Sequence, residues 1–237
     1  MTDAKLFQWP SRARYGRVVP KNKFYEQGVS PKVRGRFVSE VNRIRWAYKL
    51  AEETIQLSGN DSVPEIQVFE IETRCDDVSD DVLQALDTAV PYPVIIEISR
   101  RNRDQPQTRM TACYKDLGKT KPNLSGYFTS GWIAEPAERV PLPAALDLQS
   151  LFTGLVLPIL PFPARHGESL SEATDRLDQA HKLQREISGL ERKLRNEVQF
   201  NRKVQLRRQL HAQTAALNEL VNSPLSKPNI KDPQWTS

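Results

Sequence analysis

The sequence predicts an α+β fold: a small mixed or antiparallel sheet with flanking helices, followed by a long C-terminal coiled-coil helix or helical hairpin. Three observations predict it. Short β-branched runs such as Val94-Ile95-Ile96-Glu97-Ile98 lie between turn-forming residues across the first two thirds of the chain. Helical signals fall among these runs without the strict alternation of a parallel α/β fold. From Glu172 to Val221 there is no proline and only one glycine, Gly189, while leucines recur at heptad spacing.

The elements follow in order. Residues 1–29 form a basic, extended N-terminal segment, because Pro10, Gly16, Pro20 and Gly28 punctuate it. Phe7, Trp9, Tyr15, Phe24 and Tyr25 alternate there with Arg12, Arg14, Arg17, Lys21 and Lys23. Aromatics among cations can stack bases while the cations hold phosphates, or can anchor the segment on a core. The body spans residues 30–164. Ser30 as N-cap and Pro31 at the first helical position open a helix. Val33, Phe37, Val41, Ile44 and Tyr48 recur at spacings of three and four, which carries that helix to about Leu50. Thr54 to Leu57 and Ile66 to Ile71 read as strands. Asp80 or Asp81 caps a helix that ends at Pro91. Val94 to Ile98 reads as the buried central strand, and Thr108 to Tyr114 and Gly126 to Ile133 as two more around the turn-rich 118–126. Leu146 to Leu160 forms the last helix of the body, and Pro158, Pro161 and Pro163 mark a boundary.

Residues 165–222 form the coiled-coil region. Leu183, Ile187, Leu190 and Leu194 give one a/d seam, and Leu206, Leu210, Gln213, Leu217 and Leu220 give another. The polar stretch from Asn196 to Lys203 breaks the phase between them. The region is either one helix of about 75 Å or a hairpin broken near Phe200-Asn201. An extended tail, 223–237, carries three prolines.

Charge is unevenly distributed along the 237 residues. Residues 1–50 carry a net charge of +9 and residues 51–100 carry −10, which a total of +5 conceals. The basic segment can face a phosphate backbone, or the two segments can pack together and neutralise each other. No run of about 18 apolar residues predicts a membrane span. The start of the chain has no signal-like apolar segment, and two cysteines, Cys75 and Cys113, make no disulfide framework. A cytoplasmic protein with reduced thiols is expected.

Catalytic motifs are sparse. There is no Walker loop, no dinucleotide-binding glycine motif, no nucleophile elbow and no C-x-x-C. His166, His181 and His211 all lie in the C-terminal third without metal-ligand spacing, so neither metal nor cofactor is expected. Pro64-Glu65 followed by Glu70-Ile71-Glu72 partly matches the P-D…E-x-K pattern of metal-dependent nucleases, in which paired carboxylates hold Mg²⁺. Here position 72 is Glu where that pattern has Lys, and the carboxylates are spaced too closely.

An ordered set of short motifs adds a family resemblance. Val19-Pro20-Lys21-Asn22-Lys23-Phe24-Tyr25, Ile44-Arg45-Trp46, Glu65 to Ile71, Val90-Pro91-Tyr92-Pro93, Ala112-Cys113-Tyr114-Lys115 and Gln199 to Leu206 together resemble the bacterial domain-of-unknown-function family numbered 4391. The resemblance covers about residues 5 to 221. It implies a companion of superfamily 2 helicases and type III-like adenine methyltransferases in restriction or antiphage gene clusters, and it supplies no catalytic residues.

The expectation is therefore a non-enzymatic accessory subunit of a DNA-acting defence complex. Arg12, Arg14, Arg17, Lys21 and Lys23 would contact duplex or single-stranded DNA. Leu206, Leu210, Leu217, Arg202, Arg207 and Arg208 would dock on a helicase or methyltransferase. Two alternatives stand beside it: an unusual metal-dependent nuclease using Glu65, Glu70 and Glu72, and a scaffold that self-associates through the coil without nucleic acid.

Overall fold

A seven-stranded mixed sheet organises the first of two units into which the chain divides, residues 1–161 and 162–237. The computed structural model describes residues 5–25, 28–101, 105–117, 123–163, 165 and 167–222. The sequence expectations for residues 118–122, for His166 and for the tail 223–237 lie outside the described residues.

The first unit contains, in chain order, β1 (Leu6–Phe7), β2 (Arg14–Val19), α1 (Pro31–Glu40), β3 (Val41–Leu50), α2 (Glu52–Ile55), β4 (Ile66–Thr73), α3 (Asp80–Ala89), β5 (Val94–Arg101), β6 (Pro106–Asp116), β7 (Asn123–Thr129), β8 (Ile133–Ala134), β9 (Arg139–Val140) and α4 (Leu148–Val156). The sheet runs β2-β3-β4-β5-β6-β7, with β8 added to β6. All its pairings are antiparallel except β4 with β5, whose parallel connection passes through α3. A parallel pair needs such a crossover. β1 pairs separately with β9, in parallel.

Two sequence expectations are corrected here. The helix that opens at Ser30 stops at Glu40, and residues 41–50 are a strand. Ser30 does cap it, accepting a hydrogen bond from the Val33 N–H. The misreading has a physical source. β3 carries register shifts between Val41 and Arg43 and between Trp46 and Tyr48, so its buried residues fall at Val41, Ile44, Ala47 and Leu50. Bulges thus turn the period of two into a period of three, which imitates a helical stripe. Thr54 to Leu57 is likewise not a strand, because α2 occupies Glu52–Ile55. There the Thr54 hydroxyl accepts from the Ala51 N–H, and Glu52 and Glu53 sit favourably in the first turn.

One face of the sheet is covered by α1 and α3. Phe37, Val82, Leu83 and Leu86 from the helices share a buried cluster with Ile44, Phe69, Ile71, Val94, Ile96 and Ile98 from the strands. Set into this apolar layer is an ion pair. The Lys115 ammonium lies 3.1 Å from Asp87, with both side chains almost fully buried. Lys115 also donates to the backbone carbonyls of Asp87, Val90 and Tyr92, at 2.7, 2.9 and 2.8 Å. These carbonyls end α3 and begin the link to β5, so one cation satisfies a helix terminus that has no intrahelical partner. The Tyr127 hydroxyl donates to the other Asp87 oxygen at 2.7 Å. Burial pushes the Asp87 carboxyl up from its ordinary range, while Lys115 and Tyr127 pull it back. Cys113 is buried, and Cys75 is exposed.

In the second unit, α5 (Leu170–Asn196) and α6 (Phe200–Asn222) lie against each other. Ser169 and Glu172 form a reciprocal cap at the start of α5. Just beside it, Arg176 makes two 2.6 Å hydrogen bonds to Glu168 and stacks on the Phe162 ring at 4.1 Å. Arg165 donates to the Leu220 carbonyl, so the start of α5 meets the end of α6 and the two helices run in opposite directions. Among the described residues, no helix is long and apolar enough to cross a membrane.

The buried ion pair generates a prediction. Lys115→Met should cost about 3–5 kcal/mol, because it leaves the Asp87 carboxylate unpaired in an apolar layer. Adding Asp87→Asn should recover part of that loss, so the two effects do not sum. Urea unfolding of the wild type, both single variants and the double variant reads the coupling, and simple additivity would contradict it.

Candidate functional site

The second face of the sheet changes character along its strands. Residues directly paired across neighbouring strands share a face, so the register defines rows. One row, Tyr48, Val68, Ile95, Ala112 and Phe128, is mainly apolar. The next is Arg45, Glu70, Glu97 and Met110, and the one beyond it is Arg43, Glu72, Ser99 and Thr108. The polar residues of these rows, with Arg139 from β9, line a pocket of about 290 Å³.

Each carboxylate in the pocket is held by a guanidinium. Arg43 pairs with Glu72, and Asn42 donates to the same carboxylate. Arg45 pairs with Glu70 at 3.1 Å. Glu97 is the most enclosed, with its side chain 4% exposed. Arg139 grips it with two hydrogen bonds of 2.8 Å, and the Trp9 indole donates a third at 2.7 Å. Arg139 also donates to the Phe7 carbonyl, which ties β9 to β1. The Glu97 hydrogen bonds push the Arg139 guanidinium up, further into its cationic form. Burial pushes the Glu70 carboxyl up from its ordinary range, against the pull of Arg45 and with help from the neighbouring Glu97.

The structure brings Glu70 and Glu72 together but leaves Glu65 apart. Glu65 bonds to Lys49 at 3.2 Å and accepts from Gln67 at 2.6 Å, and it opens onto a different hollow beside Glu52 and Asp61. Among the described residues, no group of three or more His, Cys, Asp or Glu side chains could hold a metal ion. Sequence reasoning missed Glu97 and Arg139, and it placed Trp9 only among aromatics that stack bases or anchor the segment on a core, which its burial against Glu97 fits. A glutamate inside the apolar run Val94 to Ile98 was a signal for the first, since a buried carboxylate needs partners. Nothing local marked Arg139, because its partner lies 42 residues away.

The basic residues of the N-terminal segment divide. Arg14 and Arg17 are exposed on β2, the edge strand of the sheet, and Arg12 and Lys23 are exposed in short turns. Arg17 lies over the Tyr15 ring, which in turn packs on Trp46 at 4.1 Å. Lys21 instead donates to the Val41 carbonyl at 2.7 Å, and burial, together with the charge of Arg74, pushes its ammonium down from the ordinary value. The Arg100 and Arg109 guanidiniums lie over the Trp132 ring, at 3.9 and 5.0 Å.

In the helix pair, Leu206, Leu210 and Leu217 are half-buried, as are Leu183, Ile187, Leu190 and Leu194 on α5. Arg202, Arg207 and Arg208 are exposed.

A family model described as a domain of unknown function (DUF4391) matches residues 7–217. No curated protein and no solved structure matches the chain.

Enclosure ranks the charged pairs. Glu97→Ala should destabilise the protein by about 2–4 kcal/mol, because it strands Arg139 and the Trp9 indole. Glu70→Ala should stay within about 1 kcal/mol, because both members of that pair reach solvent. Thermal or urea unfolding orders the two, and equal losses would contradict the ranking.

Proposed function

We propose, since the chain belongs to the DUF4391 family, that it is a non-enzymatic accessory subunit of a bacterial DNA-acting defence complex of the restriction or antiphage kind. In this reading it docks on a superfamily 2 helicase or a DNA methyltransferase in the cytoplasm, and its basic edge touches DNA. The observation that carries the reading is the pairing in the sheet pocket. Glu70, Glu72 and Glu97 each have an arginine as their nearest charge. A cleavage site working through a metal needs carboxylates free to ligate it. Meanwhile Arg12, Arg14, Arg17 and Lys23 remain exposed, as contacts to a phosphate backbone require.

The helix pair supplies the docking element. We read it as a short antiparallel coiled coil whose two leucine seams meet, so that Leu206, Leu210 and Leu217 maintain the pairing and the exposed charges meet the partner. Guanidinium groups suit planar, bidentate contacts with acidic surfaces.

Affinity capture of the full chain, co-expressed with the products of its neighbouring genes, tests the reading. A helicase or methyltransferase should be retained, and replacing Leu210 and Leu217 with Asp should release it by splitting the seam. Retention at full strength by that variant would move the interface to the sheet unit. Capture of neither enzyme would count against the accessory role.

A further inference from the structure

The edge of the sheet carries an arginine that is held in place and holds nothing itself. Among the described strands, β2 pairs with β3 alone, and Arg17 lies on its exposed run. The Arg17 guanidinium makes no ion pair or hydrogen bond among the described residues. It nonetheless has a fixed seat, 4.9 Å over the Tyr15 ring. That ring packs on Trp46 at 4.1 Å, and Trp46 stacks on the buried Phe69 at 6.0 Å. Phe69 in turn meets Phe24 edge-on at 6.1 Å. The Trp46 indole is fixed further by donating to the Tyr48 carbonyl at 3.1 Å. A column of rings thus runs from the core to the Arg17 side chain. A planar guanidinium stacks on an aromatic face, and one already oriented loses less freedom when it binds.

The backbone beneath is shaped to match. Between the paired positions Arg14↔Tyr48 and Arg17↔Trp46, three steps along β2 span two along β3. Such a bulge re-aims side chains at a sheet edge. Within it Gly16 has φ +70°, in the region that favours glycine. A Cβ at Gly16 would have only the Arg14 side chain within 4 Å, at 3.8 and 4.0 Å. The chain between Arg14 and Arg17 is therefore open to close approach by a ligand.

We propose that Arg17 is the phosphate clamp of the basic edge, and that Tyr15 and Trp46 are positioning residues that pre-organise its guanidinium for bidentate contact with the backbone of a nucleic-acid duplex. Oriented guanidiniums suit planar recognition of two oxygens on one group. Exposed Arg12 and Arg14 precede Arg17 along the chain and exposed Lys23 follows it, a run of charge that a row of phosphates complements. Tyr15 is already engaged by Trp46 and Arg17, so the edge offers charge, and no free ring on which an unpaired base would stack. This inference rests on the reading that the basic edge touches DNA. It names the arginine that engages the strand and the rings that hold it.

Fluorescence anisotropy of the full-length chain with a labelled duplex of about 20 base pairs, two helical turns, tests it across a salt series. Arg17→Ala should lower the slope of log affinity against log salt by about 1. Arg17→Lys keeps the charge and should keep the slope, but should weaken binding about 2- to 5-fold because it gives up the stacked fork. Tyr15→Ala should do the same, and Tyr15→Phe, which keeps the ring, should bind like the wild type. Combining Tyr15→Ala with Arg17→Lys should cost no more than either alone, since both remove one arrangement. Arg17 is exposed, so Arg17→Lys should melt like the wild type and reads the contact even where Tyr15→Ala lowers stability. The inference is overturned if Arg17→Ala leaves the slope unchanged, if the two losses multiply, or if Tyr15→Phe is as weak as Tyr15→Ala. It is equally overturned if Arg17→Ala abolishes binding to an oligoglutamate peptide and spares the duplex, which would make the edge a seat for an acidic segment. A wild-type chain that binds no duplex removes the DNA contact itself, whereas a chain that binds duplex without regard to Arg17 removes this inference alone. Affinity capture of the partner enzyme is independent of every arm.

Discussion

The basic strand β3 lies directly beside the acidic strand β4, and the charges on their shared faces meet in pairs. Arg43 faces Glu72, Arg45 faces Glu70, and Lys49 reaches Glu65. A further link, Arg36 to Asp81 at 2.7 Å, joins α1 to α3. The opposition between residues 1–50 and 51–100 is thus resolved across strands that are neighbours in space. Register enforces this matching. A slip of one residue would move every charge in β4 to the helix-covered face and every apolar residue of its core set to the open face. Arg43 and Arg45 would then face uncharged residues of β4, and the sheet would lose these contributions. Individually, the half-exposed pairs contribute little. Their collective effect is to fix which residues share the open face, and so which side chains line the pocket.

That constraint shapes the functional reading. Carboxylates committed to neighbouring guanidiniums act as holders of arginine geometry, with Glu97 the most committed through its contacts to Arg139 and Trp9. Among the described residues, cations without a carboxylate partner include Arg14 and Arg17 on β2 and Arg192 and Lys193 in the helix pair. The buried pair of Asp87 and Lys115 serves a different end. It closes the C-terminus of α3 and so positions the one parallel crossover between the described strands of the seven-stranded sheet.

The legible parts of the fold were those in which local pattern and tertiary environment agree. Val94 to Ile98 is an apolar run and a central strand, and Asp80 to Ala89 carries a helical stripe that packs on the core. Ser30 and Pro31 announced a helix start that the structure contains. The failure at residues 41–50 came from bulges, which alter periodicity in a way that no window of sequence distinguishes from a helix. The break between α5 and α6 was foreshadowed by the polar stretch after Asn196, but the Arg165 contact to Leu220 that shows the helices returning is not local. The pocket was half legible. Glu70 and Glu72 stood out because acidic residues on a strand invite a catalytic reading. The arginines that hold them come from another strand, and Arg139 comes from β9, 42 residues along the chain from Glu97, so their meaning depended on pairings that only the fold supplies.

The central claim is that the carboxylates on the open sheet face are ion-pair partners and take no part in chemistry. Exchanging the charges in both exposed pairs tests this most directly, with Arg43 and Arg45 changed to Glu and Glu70 and Glu72 changed to Arg. The measurement is nucleic-acid processing by the complex assembled with this variant. The account predicts a folded subunit, melting close to the wild type, in a complex that retains its processing activity, because each pair is rebuilt in reverse. A folded variant whose complex no longer cleaves or otherwise processes nucleic acid would contradict it and assign those carboxylates a chemical role.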